Sequence, residues 1–170
     1  FALAIVDRVA NRTVLALDRM GLERLAYANM KGGLVFSDSA ERVARFPGVD
    51  APLRPQALFD YLLLHMIPAP DTAFMGVYKL RPGTCAVLEA GRLTVERYWL
   101  PEFEAGNRAS FADLRQSLRD GLRAAVSDCG PDESTGAFLS GGLDSSTVVG
   151  VLAEVSGRAP RTFSIGFGVD

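Results

Sequence analysis

The chain has 170 residues, of which 48% are apolar and 22% charged, with a mean hydropathy of +0.15. That excludes a disordered chain and leaves room for one ordinary domain or two small ones. A net charge of −2, two cysteines and a single histidine argue against a nucleic-acid surface, a disulfide framework and a His-rich metal site.

The opening run Phe1 to Val6 is apolar, and so is Thr13 to Leu17. A polar turn near Asn11 and Arg12 joins them, which predicts a hairpin. Met20-Gly21 reads as a turn. Leu25 to Ala28 and Leu34 to Phe36 flank Lys31-Gly32-Gly33, a second hairpin signal. Asp38 is expected to cap a short helix ending near Phe46. Pro55 sits where a helix would start, and Leu58, Tyr61, Leu62, His65 and Met66 continue it until Pro68. The longest apolar stretch, around Leu58 to Ile67, is broken by Asp60 and His65 and falls short of the ~20 residues that span a bilayer. Met75 to Leu80, Thr84 to Glu89 and Arg92 to Trp99 read as strands, turning at Arg81-Pro82-Gly83 and Ala90-Gly91.

Residues 101–109 carry little apolar content, and 105–109 are the expected linker. Beyond it Ser110 reads as an N-cap, with Asp113 completing a variant capping box. Phe111, Leu114, Leu118, Leu122 and Val126 make one apolar stripe, while Arg115, Arg119 and Arg123 line another face that reads as solvated. Gly130-Pro131 stops this helix. Thr135 to Leu139, Ser145 to Val155 and Thr162 to Phe167 then read as strand, helix, strand: a βαβ unit, the building block of a parallel sheet.

Chemistry concentrates in Ser140-Gly141-Gly142-Leu143-Asp144-Ser145-Ser146, between that strand and helix. Gly141 and Gly142 let backbone approach a ligand closely. The serines add hydroxyls, and the helix N-terminus aims free N–H groups at the loop, a setting for phosphate or pyrophosphate. Asp144 would repel a phosphate, and a bridging Mg²⁺ would resolve the conflict. A Walker-type loop is excluded, because Gly-Lys-Ser/Thr and Gly-x-Gly-x-x-Gly are both absent.

This loop resembles the pyrophosphate loop of the ATP pyrophosphatases, enzymes that cleave ATP between its α and β phosphates. The front of the chain narrows the resemblance. Phe1-Ala2-Leu3-Ala4-Ile5-Val6-Asp7, Asp18-Arg19-Met20-Gly21, Lys79-Leu80-Arg81-Pro82-Gly83 and Tyr98-Trp99 are similar to segments of the asparagine synthetase (glutamine-hydrolysing) family. The chain departs from that family at Leu17, Arg24, Ala26 and Asp38-Ser39. These departures also fit a paralogue such as a β-lactam or lasso-peptide (macrolactam) synthetase with an internal amine as nucleophile. A non-catalytic nucleotide-binding protein is the third alternative.

The resemblance implies an α/β fold in two parts. Residues 1–104 correspond to the C-terminal half of a type 2 glutamine amidotransferase domain, half of an N-terminal-nucleophile sandwich. Residues 110–170 correspond to the start of the synthetase ATP-binding domain, the first βαβ unit of an adenine nucleotide α-hydrolase sheet. ATP and Mg²⁺ are implied. Ser140, Asp144 and Ser145 are the implied catalytic residues, and Asp144 the metal ligand. Phe138, Leu139, Ser140, Gly141, Gly142, Asp144, Ser145, Ser146 and Ile165 are the implied nucleotide contacts. Expected partners are ATP, aspartate or a related carboxylate, and glutamine, with neither nucleic acid nor membrane, and a homodimer is allowed. The family's N-terminal cysteine nucleophile is missing from these residues. The first and last residues read as strand, so the expectation is a segment of a longer, cytoplasmic chain that alone catalyses nothing.

The remaining reactive side chains read as structural. Cys85 and Cys129 fit small hydrophobes, His65 a packed helix residue, and Tyr98-Trp99 strand core. Arg19 is expected to pair with Asp18 or Asp7.

Overall fold

The computed structural model describes residues 1–103, 106 and 108–166, and the chain divides into two compact units, Phe1–Phe103 and Glu104–Asp170. Of the expected linker, residues 105 and 107 lie outside the described residues, as does Phe167 of the expected last strand.

The first unit is built from antiparallel strands. β1 (Ala2–Asp7) and β2 (Arg12–Leu17) form the expected hairpin in the register Ala2 to Leu17. β3 (Ala26–Met30) and β4 (Gly33–Ser37) form the second. β5 is only Tyr78–Lys79, while β6 (Thr84–Glu89) and β7 (Arg92–Arg97) make a third hairpin. One sheet has the order β1-β2-β6-β7, the other β4-β3-β5.

Alternation sends one face of each sheet to a shared core. Leu15, Leu17 and Ala86 from the first sheet cluster with Tyr27 from the second, together with Leu25 and Leu80. Ala26 and Ala28 point to the other face of β3 and pack with Val77 and with Val43 of α1 (Ala40–Ala44). Burial then raises the Tyr27 hydroxyl above its ordinary pKa, and neighbouring Tyr78 adds to it.

Several expectations are corrected. Ser39, not Asp38, caps α1; its hydroxyl accepts from the Arg42 amide, and Asp38 instead pairs with the Arg42 guanidinium at 3.2 Å. α2 (Pro55–Leu64) starts at the proline as expected but stops at Leu64. His65 is its left-handed C-cap and is exposed, not packed. Met75 to Leu80 is not one strand: residues 75–76 form a turn with Gly76 at φ +72°, only Tyr78–Lys79 is strand, and the buried Thr72 hydroxyl ties the segment locally. Arg19 lies over the Trp99 ring at 5.8 Å instead of pairing with a carboxylate. Tyr98 follows β7 rather than lying within it, and its hydroxyl donates to the Leu17 carbonyl at 2.5 Å. Cys85 lies half-buried in β6 and Cys129 exposed at a helix end, both as free thiols.

The second unit has two helices and two strands. Ser110 caps α3 (Phe111–Asp128): its hydroxyl accepts from the Asp113 amide, the first half of a capping box, and donates to the Asp113 carboxylate, which takes the hydroxyl in place of the Ser110 amide. β8 (Gly136–Phe138), α4 (Leu143–Ser156) and β9 (Arg161–Phe163) follow, and β8 pairs with β9 in parallel. The βαβ expectation is therefore met, with shorter strands and a longer helix. Arg123 bridges α3 and α4 through Glu154 at 2.8 Å, so its face of α3 is not purely solvated. Among the described residues no helix is long and apolar enough to cross a membrane.

Candidate functional site: the loop between β8 and α4

The loop leaves β8 at its carboxyl end, the edge where open parallel sheets place their ligands. Phe138 and Leu139 lead into it. The Phe138 ring is exposed and sits 6.3 Å from the Phe163 ring on the neighbouring strand. The Leu139 amide donates to the Phe163 carbonyl at 2.9 Å, and the Leu139 carbonyl accepts from Ser164 Oγ at 2.6 Å. The backbone of Leu139 is thus largely engaged by the adjacent strand. Ile165 lies just past β9 and is exposed. The strand pairing brings Leu139 and Phe163, and with them the segments leading to the loop and to Ile165, to one edge.

Gly141 takes φ +82°, and a Cβ there would meet nothing within 4 Å. The glycine is required by backbone conformation, not by crowding, and the approach to this bend is open. Gly142 is the N-cap of α4 and has no side chain to offer. The first-turn amides of a helix have no intrahelical acceptor. Among the described residues no hydrogen bond is donated by the amides of Leu143, Asp144 and Ser145, whereas Ser146 N donates to the Gly142 carbonyl at 3.1 Å. Three N–H groups and the positive end of a 14-residue helix therefore converge on open space, an arrangement that suits an anion.

The side chains divide the work. Ser145 Oγ lies 3.2 Å from Ser140 N, 3.0 Å from Ser140 Oγ and 3.2 Å from the Gly142 carbonyl. Ser140 Oγ is also 3.4 Å from Gly142 N. Ser146 is exposed, and its hydroxyl has no partner among the described residues. Asp144 is exposed in the first turn of α4, where a carboxylate faces a favourable helix end. No cluster of three His, Cys, Asp or Glu occurs among the described residues. A cation here would rest on Asp144, with phosphate oxygens and water completing its shell. That is the habit of Mg²⁺, so the donor set fits. The residues expected from sequence did not include Leu143. Its amide is one of the three free donors, and Gly142 at the N-cap was the readable signal.

The larger clefts lie in the first unit. One of about 630 Å³ is lined by Tyr27, Tyr78, Lys79, Arg81, Thr84 and Arg97, among others. Lys79 is tied to the structure, donating to the Ile67 carbonyl. Burial, and then the Arg24 charge, hold its ammonium below its ordinary pKa.

Residues 1–99, more than half of the chain, match the glutamine amidotransferase domain family. The chain belongs to that family. Residues 117–170 match a second family, asparagine synthase, and carry the β8–α4 loop within them. The amidotransferase segment and the loop segment align together with single relatives. Asparagine synthetase (glutamine-hydrolyzing) 3 of Bacillus subtilis is 30% identical over 98% of the chain and 28% of its own length. Asparagine synthetase (glutamine-hydrolyzing) 1 of the same organism is 29% identical over 89% of the chain and 24% of its length. Amidase chry2 of Gibberella zeae is 26% identical over 91% of the chain and 23% of its length. The chain spans about a quarter of the length of these relatives.

Proposed function

We propose that the chain is part of an ATP-dependent, amide-forming ligase of the asparagine synthase (glutamine-hydrolysing) type. In this reading residues 1–104 are the C-terminal half of the amidotransferase domain, an N-terminal-nucleophile sandwich. Residues 105–109 are the linker, and 110–170 open an ATP-binding domain of the adenine nucleotide α-hydrolase kind. One observation carries the reading: three unspent first-turn amides of α4 sit beside a Ser-Gly-Gly loop at the carboxyl end of a parallel strand pair.

A substrate carboxylate, aspartate in the first instance, attacks the α-phosphorus of ATP. The bond from that phosphorus to the α–β bridging oxygen breaks, and pyrophosphate leaves with the electron pair. Ammonia released from glutamine then attacks the activated carbonyl carbon, AMP departs, and the amide forms. The amides of Leu143, Asp144 and Ser145, with the Ser146 hydroxyl, hold the departing pyrophosphate. They are preorganised donors aimed where charge accumulates, the arrangement that contributes most to catalysis of such steps. Asp144 would hold a Mg²⁺ ion, which when bound would supply positive charge to the phosphate oxygens. Phe138, Leu139 and Ile165 border the purine.

The test uses the full-length protein with ATP, Mg²⁺, aspartate and glutamine, following pyrophosphate, AMP and asparagine. Pyrophosphate and asparagine are expected in equal amounts, and Asp144→Ala should lower pyrophosphate release by about 100-fold or more. ADP in place of AMP, or a wild-type rate in that variant, rejects the reading. An amide formed without glutamine or ammonia assigns an internal amine as nucleophile instead.

A further inference from the structure

A cleft of about 500 Å³ in the first unit is bordered by Arg19, Arg81 and Arg97 on one side and by Trp99, Pro101 and Phe103 on the other. No Asp or Glu lines it. Among the described residues none of its three guanidiniums makes an ion pair. We infer that this cleft binds a small organic oxyanion, a ring carrying two or more negative charges. The guanidiniums take the charge, and the aromatic and proline surface takes the ring.

The arginines stand on fixed backbone. Arg19 lies inside the turn whose Met20, Gly21 and Leu22 amides donate to the Asp18 carboxylate, which leaves that carboxylate spent. Arg81 lies in a second turn locked to the first. Gly83 N donates to the Asp18 carbonyl at 2.9 Å, and a Cβ on Gly21 would come within 2.7 Å of the Pro82 ring. Arg97 ends β7 opposite Thr84. The Gly83 carbonyl accepts from the Tyr98 and Trp99 amides at 2.8 and 3.2 Å, so the ring of the cleft is tied to the same turn. Gly83 itself takes φ +63°, and a Cβ there would meet the Trp99 carbonyl at 2.6 Å.

Holding three like charges together costs energy that an anion removes. The chain as a whole carries −2, so the gathering of positive charge is local. Arg19 lies over the Trp99 ring at 5.8 Å, a contact that attracts a cation without neutralising it. Guanidinium forks match carboxylate and phosphate oxygens, and three of them exceed what one negative charge can balance. Phe103, 92% exposed, and the neighbouring proline and indole offer apolar surface that a bare inorganic ion would leave unused. The volume suits a ligand of one ring and one charged group.

Isothermal titration of the full-length protein at low ionic strength tests this, with phenyl phosphate and inorganic phosphate as probes. Phenyl phosphate should bind about tenfold more tightly than inorganic phosphate. Arg81→Gln and Arg97→Gln should each weaken phenyl phosphate by about fivefold, the upper end for exposed charge pairs, and the double variant by at least about tenfold. Phe103→Ser should bring phenyl phosphate down towards inorganic phosphate. Thermal unfolding midpoints of these variants without ligand should match the wild type, so that lost binding is not lost folding. Unchanged affinity in both arginine variants puts the anion elsewhere and overturns the assignment, and so does equal affinity for the two probes. A wild type that binds neither probe, with arginine variants that unfold at lower temperature, means that the protein's own carboxylates hold the guanidiniums; the cleft is then no ligand site. Because the readout is binding, a full-length protein that releases no pyrophosphate from ATP sinks the reading above and leaves this one standing.

Discussion

Asp18 shows how one side chain can hold a turn and carry a pH signature. It follows β2, is buried, and its carboxylate accepts from the amides of Met20, Gly21 and Leu22 at 2.8–3.3 Å. Burial pushes the carboxyl up, but the Leu22 and Met20 amides and their neighbours outweigh it and bring it from 3.8 down to about 2. A carboxyl depressed by folding stabilises the fold above its unfolded pKa, and that contribution disappears as pH falls through the folded value. The window is therefore about pH 4 down to about pH 2. Thermal unfolding midpoints across this range should fall more steeply for the wild type than for Asp18→Asn, with the variant less stable at neutral pH. Parallel curves would mean that the three amides do not favour the charged form. The turn itself was legible from Met20-Gly21. Its cause was not, because periodicity says nothing about which carboxylate gathers amides. Arg19 was not legible for the same reason: the Asp18 carboxylate is taken up by the turn amides, and the fold delivers the Trp99 ring to the guanidinium instead.

At the scale of elements, local chemistry was legible where it was self-sufficient. The hairpins β1–β2, β3–β4 and β6–β7 each join apolar runs through a turn, and their registers follow from that. The Ser110 cap and the Pro55 helix start are equally local. Met75 to Leu80 failed because its apolar run satisfies its backbone through a side chain outside the run. The buried Thr72 hydroxyl donates to the Val77 carbonyl at 2.8 Å and accepts the Phe74 amide at 3.1 Å. An apolar count cannot see that bond, and only Tyr78–Lys79 remains to pair with β3. Thr72→Val keeps the shape and strands both backbone groups, which should cost about 1–3 kcal/mol, against little for Thr72→Ser. Denaturant midpoints of the two variants compare them directly; equal stability of Val and Ser would show that the hydroxyl does not organise the segment. In the second unit the site loop was legible as composition, two glycines among serines between strand and helix. Which hydroxyls contact each other across the bend was not, since that depends on how the chain turns at Gly141.

For the molecule as a whole, the two units differ most in how they hold themselves together. The first places Leu15, Val43, Val77 and Ala86 fully out of solvent, in two clusters on opposite faces of one sheet. In the second, Leu152 is the one buried apolar residue among those described, while Phe111, Leu114 and Leu118 lie exposed along α3. Its helices are joined by the Arg123–Glu154 pair, half-exposed on both sides, and exposed pairs add about 0–1 kcal/mol. Burial sets the free energy of local opening, so α3 and α4 should open far more readily than β2, β3 and β6. Limited proteolysis of the 170-residue chain under native conditions, with fragments mapped by mass, tests this. Cuts within α3 and α4 should appear at least about tenfold faster than cuts within those three strands, the ratio set by about 1.4 kcal/mol of difference in opening. Equal rates would mean that the second unit draws its stability from something other than its own buried residues.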